Sequence, residues 1–229
     1  MNPTLQAFLH AQDLDELLAL SGQLNDLNEQ DHETITSVLY HWQDLQAVAN
    51  IMMYPRLMPR AQVLRHLIRA FEDDNQYLSL AATVGLQTLE HNFFTDWHRA
   101  QLVDILIDKL NASALDVARR ASVTLGEFIK DEEISKLTPF LNHYDDVVRH
   151  NVVIAHRIAR GVEATRDLLK HVLDTYPLSV ESRSFLEQRY AEAIKVANDP
   201  SSDGLWLSNL SGPLLSYIPN FCDWSSAAT

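Results

Sequence analysis

The chain has 229 residues, 46% of them apolar and 21% charged, which supplies enough apolar mass for a sizeable core and excludes wholesale disorder. Six glycines and eight prolines are too few for the frequent tight turns of β-sandwiches and barrels, so an all-α chain is expected. Eighteen Lys and Arg against 31 Asp and Glu leave a net charge of -13, which repels free nucleic acid at long range.

Helical periodicity runs nearly end to end and is cut by short breakers. It predicts helices over 4–10, 13–22, 31–40 and 42–53, the last stopped by Tyr54-Pro55. Pro59 opens a helix over 60–72 as a first-turn proline. A helix over 77–91 follows, then 97–110 capped by Thr95 or Asp96, and 114–130 capped by Ser113. Asp131, Glu132 and Glu133 place acids in the first turn of a helix reaching Leu141, where they suit the helix dipole. Asp145 caps 146–160 and Gly161 closes it. The pattern resumes over 162–176, stops at Pro177, and ends with a helix over 179–197. These lengths and short connections predict antiparallel neighbours in one domain over 1–197. The Ser-, Gly- and Pro-bearing tail, 198–229, carries Trp206 and Tyr217 in apolar runs and is expected to fold back as a cap.

Charge is unevenly spread. The first 55 residues hold eight acids and no Lys or Arg; Arg56 to Lys195 holds 18 bases and 20 acids; the tail beyond holds three acids and no base. A solvated acidic end accounts for this, and so does a docking surface for a basic partner. One cysteine, Cys222, rules out an intrachain disulfide and fits a reducing, cytoplasmic setting. The N-terminus lacks the basic and apolar regions of a signal peptide, and the apolar part of the tail is broken by Asn209, Pro213 and Pro219, so neither a leader nor a transmembrane segment is expected.

Two segments align at an offset of 30 residues, Asp116-Val117-Ala118-Arg119-Arg120-Ala121-Ser122-Val123 and Asp146-Val147-Val148-Arg149-His150-Asn151-Val152-Val153. A third, beginning at Tyr77, aligns more loosely and lacks the Asp and the Arg. Each follows an amphipathic helix of similar length, so the unit is a helix pair and the expected architecture is a right-handed α-solenoid. The Asp-x-x-Arg pattern on the second helix of a pair resembles the HEAT repeat. The short acidic chain, with Tyr54-Pro55-Arg56-Leu57, also resembles the cyanobacterial HEAT-like proteins, which include phycobilin lyase subunits and phycobilisome-degradation proteins. That resemblance implies a ladder in which Asp and Arg of successive repeats pair, with Asp116 and Arg149 as one rung. It also implies a phycobiliprotein as partner and a bilin or related tetrapyrrole as ligand, although no cofactor is otherwise expected. Gly126 standing opposite His156 departs from a tidy repeat.

On a helical wheel of 146–160, Val147, Val148, Val152, Ile154, Ala155, Ile158 and Ala159 form the core stripe. The opposite arc carries Arg149, His150, Val153, His156, Arg157 and Arg160, and the preceding repeat carries Arg119 and Arg120. Arginines fit carboxylates with paired hydrogen bonds, so Arg119, Arg120, Arg149, His150, His156, Arg157 and Arg160 form the candidate anion- or partner-binding set. The ten histidines contain no helical i, i+3 or i, i+4 pair and no HExxH, so no metal site is expected. No GxSxG, P-loop or Gly-rich dinucleotide fingerprint is present, and Cys222 has no convincing local base, so no catalytic residue is assigned. The reading that follows is a non-catalytic adaptor that binds another protein and no nucleic acid. Its rivals are a bilin lyase-type enzyme and an acidic immunity or inhibitor protein for a basic toxin.

Overall fold

The computed structural model describes residues 2–89 and 93–199. Every regular element among them is helical: α1 Pro3–His10, α2 Leu14–Ser21, α3 Glu29–His41, α4 Leu45–Met53, α5 Arg60–Glu72, α6 Gln76–Gln87, α7 Asp96–Lys109, α8 Leu115–Phe128, α9 Asp146–Thr175 and α10 Val180–Asn198. Two 3₁₀ segments, Pro55–Leu57 and Ile134–Asn142, complete the order. Where the sequence offers one domain over 1–197, the chain clusters into two compact units, the first running to His98 and the second starting at Arg99. Among the described residues no helix is long and apolar enough to cross a membrane. The expectation that Trp206 and Tyr217 cap the last helices lies outside the described residues.

In the first unit α4 is the hub and packs against α1, α3, α5 and α6. Ala47 through Met53 are all buried, including the polar Asn50. A buried helix end must find donors for its last carbonyls. Asn50 Nδ2 supplies them, donating to the carbonyls of Phe8 (2.9 Å), Leu9 (3.3 Å) and Ala11 (3.1 Å) at the end of α1. On the other side of α4, Gly85 lets α6 come so close that a Cβ there would stand 1.8 Å from the Met52 carbonyl oxygen.

Several boundaries move for local reasons. Helix α3 starts early because Asn28 and Asp31 form a reciprocal capping box. Trp42 does not open a helix; it ends α3 in the left-handed region (φ 56°), and Asp44 caps α4. Pro59 is the N-cap of α5 and not its first helical residue.

In the second unit α9 packs against α8, α10 and the longer 3₁₀ segment. The helix expected after Asp131 is that 3₁₀ segment, with Pro139 inside it. Proline lacks the N–H an α-helix needs and crowds the preceding turn. Helix α8 begins with Ala114 at its N-cap and no side-chain cap, so Ser113 does not serve. Asp145 caps α9 as expected, accepting from Val148 N at 3.1 Å. Gly161, at φ 84° and ψ 176°, breaks α9 into 146–160 and 162–175. Ser179 caps α10.

Candidate functional site

The arc expected to work on a partner is largely covered within the second unit: Arg149, Val153 and His156 are buried, His150 and Arg157 half-buried, and Arg160 exposed. Arg149 is 4% exposed; its Nη1 donates to the carbonyls of His143 (2.5 Å) and Tyr144 (3.2 Å), and its guanidinium lies 5.2 Å from the Phe185 ring of α10. His156 is 5% exposed, and its Nδ1 is 2.9 Å from Thr165 Oγ1, whose hydroxyl donates to the Gly161 carbonyl at 2.8 Å. The imidazole thus ties the two arms of α9 across their break. Burial first, and then Arg160, pushes its pKa down to about 4, with Asp131 opposing. His150 is half-buried and pushed to about 4 by burial and by Arg189, with Asp146 opposing.

Arg157 lines a hollow with Val162, Thr165, Ala193 and Val196, and burial lowers its guanidinium pKa. That hollow is too shallow to hold a water-sized molecule, so it is no small-molecule pocket. Arg160 pairs with Asp131 through Nε, and its Nη2 donates to the Asp131 carbonyl at 3.1 Å. Val153 is 1% exposed and Ile158 is 63% exposed, the reverse of the wheel reading; on the arc that the wheel left to solvent, Phe185 of α10 lies at Arg149, and Ala193 and Val196 lie at Arg157.

The rung expected between Asp116 and Arg149 is replaced by another. Arg119 grips Asp145 with two nitrogens, Nη2 at 2.8 Å and Nε at 3.2 Å. Burial alone would raise the Asp145 pKa; the Arg119 hydrogen bonds and the Val148 N–H win and hold it below the usual carboxylate value. Asp145 thus serves α9 as cap and α8 as counter-ion, while Arg149 gives its Nη1 to the loop carbonyls. Arg120 is half-buried, and burial lowers its pKa against the pull of Asp116.

The first unit presents a different surface. Of the eight acids that precede the first basic residue, Asp13, Asp15, Glu16, Asp26, Glu29, Glu33 and Asp44 are exposed. Asp31 is 0% exposed and is consumed by the N–H groups of Asn2 (2.8 Å) and Asn28 (3.2 Å). Leu18 is 52% exposed and Tyr40 is 74% exposed on the same run of helices.

Beside that run, Trp42 is locked by three partners from α5 and its end. Arg69 stands 4.1 Å over its ring, His66 stacks at 6.3 Å and 18°, and Asp73 accepts the indole N–H at 2.9 Å. A bulky side chain at positive φ is strained and persists only where its surroundings hold it. Sequence reasoning missed this cluster, and it missed Arg189 and Phe185 of α10; no spacing in the chain marks either group.

No family model, curated protein or solved structure matches this chain. The HEAT-like resemblance therefore stands on the Asp116 and Asp146 segments themselves.

Proposed function

We propose that the protein is a non-catalytic binding protein that engages another protein through the acidic helices of its first unit. The observation that carries this reading is the exposure of seven of the eight acids in a stretch without Lys or Arg. A surface of one sign attracts a partner of the other, raises the association rate, and rejects partners of like charge. Leu18 and Tyr40 then supply contact area that charge alone does not.

The finer reading makes the helix pairs HEAT-like repeats of a right-handed solenoid. It places phycobiliproteins first among the partners to be tried, on the resemblance of the short acidic chain and its Tyr54-Pro55-Arg56-Leu57 to the cyanobacterial HEAT-like proteins. A basic toxin or nuclease as partner turns the same surface into that of an inhibitor.

The test is affinity capture from native cell extract with the full chain, followed by the affinity of each purified partner for the wild type and for Asp15→Lys/Glu16→Lys/Glu29→Lys. A basic partner that the triple variant binds at least tenfold more weakly supports the reading. A partner bound equally by both overturns it. An absorbance change of free bilin on mixing, with no protein partner, replaces it with the lyase-type reading.

A further inference from the structure

Two buried donors flank one ring where α9 and α10 pack. Arg149 uses Nη1 on the His143 and Tyr144 carbonyls, yet its Nε–H is buried without a hydrogen-bond partner. Arg189 of α10 gives Nη1 to Glu192 at 2.7 Å, and its Nε–H is likewise buried without one. Both guanidinium carbons stand 5.2 Å from the centre of the Phe185 ring, so they lie within about twice that distance of each other. His150 adjoins Arg149 in sequence and lies in the field of Arg189. Phe185, Arg189 and His150 are each half-buried, so the rim of the cluster meets solvent while the two Nε atoms lie just beneath it.

Buried N–H groups are ordinarily paired, and an orphaned one keeps its full desolvation cost. Here two of them belong to guanidinium groups gathered at one aromatic ring, with an imidazole beside them. Glu192 occupies one nitrogen of Arg189 and Asp146 acts on His150, which leaves both Nε–H groups unanswered. Planar guanidinium donors match the oxygens of phosphate and carboxylate groups.

We propose that Arg149, Arg189 and His150 form a binding site for a small oxyanion, a phosphate or carboxylate group, seated beside Phe185 between α9 and α10. The site belongs to the second unit and does not depend on the acidic surface of the first. An anion there offsets the charge of Arg189, so the imidazole of His150 takes up a proton at higher pH once the site is filled.

The experiment is an NMR titration of the full chain with inorganic phosphate, following the arginine Nε–H signals and the His150 imidazole, with chloride at matched ionic strength as control and acetate as a second arm. The expected result is that the Arg149 and Arg189 Nε–H signals shift together and saturate, and that the His150 pKa rises from about 4. Arg189→Gln, folded by far-UV circular dichroism, weakens binding by about tenfold or more, the worth of one charge-assisted hydrogen bond. Arg189→Lys, which keeps the charge and loses the Nε donor, weakens it in the same direction and serves if the Gln variant does not fold. Saturation by acetate alone assigns a carboxylate, and by phosphate alone a phosphate. Signals that move with chloride as much as with either anion, or that saturate equally in the folded Arg189 variants, overturn the proposal.

Discussion

Asn50 and Gly85 hold the first unit together from opposite sides of α4. Asn50 spends its amide on three carbonyls at the end of α1, so Asn50→Leu takes a buried donor from each, with the Ala11 N–H still on the Phe8 carbonyl and Gln46 Nε2 on that of Ala11. The expected loss is about 1–3 kcal/mol in urea unfolding, the cost of orphaned buried polar groups. Gly85→Ala drives a methyl against the Met52 carbonyl oxygen, 1.8 Å away, and α6 must shift. Overpacking of this kind costs about 1–3 kcal/mol or more, and an unchanged melting midpoint would show that the contact is looser than described. Neither role was legible in the chain. Asn50 sits in a helix pattern that any polar residue would fit, and a lone glycine in the Tyr77 segment does not say which backbone it faces. N-caps were more legible, because Asp and Ser announce them by a purely local hydrogen bond. Asp145 and Ser179 stand where such residues were expected to begin a helix.

Helix α9 carries most of what the sequence promised and most of what it hid. Gly161 was placed by its identity alone, and its φ of 84° bears that out. No atom lies within 4 Å of a Cβ built there, so Gly161→Ala reports backbone strain without a clash. About 1–3 kcal/mol of lost stability is expected for a non-glycine residue in that region, and a neutral result in thermal unfolding would contradict the break in the helix. The wheel of 146–160 assigned one buried stripe because a wheel knows nothing of the neighbours. With α8 and α10 both packed on the helix, Arg149, Val153 and His156 of its basic arc become interior, while Ile158 and Arg160 stay exposed.

That interior makes stability depend on pH. His150 and His156 have folded pKa values near 4, below the unfolded value of about 6.5. The unfolded chain therefore binds their protons more readily, and their contribution is complete above about pH 6.5 and lost as pH falls towards 4. Asp145 is depressed in the folded state, so its contribution is present above the ordinary carboxylate range, about pH 4, and lost below it. Denaturant unfolding across pH 7 to 4 should show a steady fall, and His156→Gln should remove part of it. A flat profile over that window would contradict the burial of both imidazoles.

At the scale of the whole molecule the two units differ most in how they spend charge. In the second, Arg119, Arg149 and Arg160 are committed to Asp145, to loop carbonyls and to Asp131. In the first, seven of the eight acids that precede Arg56 remain exposed. Helical class was legible from composition and breaker spacing because both follow from local chemistry. The division at His98 was not, since helix α7 runs through it without a breaker. The surface that faces a partner was legible only as a count of acids; which charges stay exposed depends on packing that no periodicity reports.

The measurement that bears most directly on the binding account is the affinity of the captured partner for the full chain as salt is raised from 50 to about 500 mM, for the wild type, for Asp15→Lys/Glu16→Lys/Glu29→Lys, and for Arg157→Ala/Arg160→Ala. Reversal of three exposed acids should weaken binding by at least tenfold and flatten its salt dependence, with the melting temperature little changed because exposed charges contribute about 0–1 kcal/mol. The arginine pair, set against α10 and Asp131, should lower the melting temperature and leave affinity within a factor of about two. Affinity that is indifferent to salt and to the acidic substitutions, and that collapses when Arg157 and Arg160 are replaced, would contradict the account and return the working surface to α9.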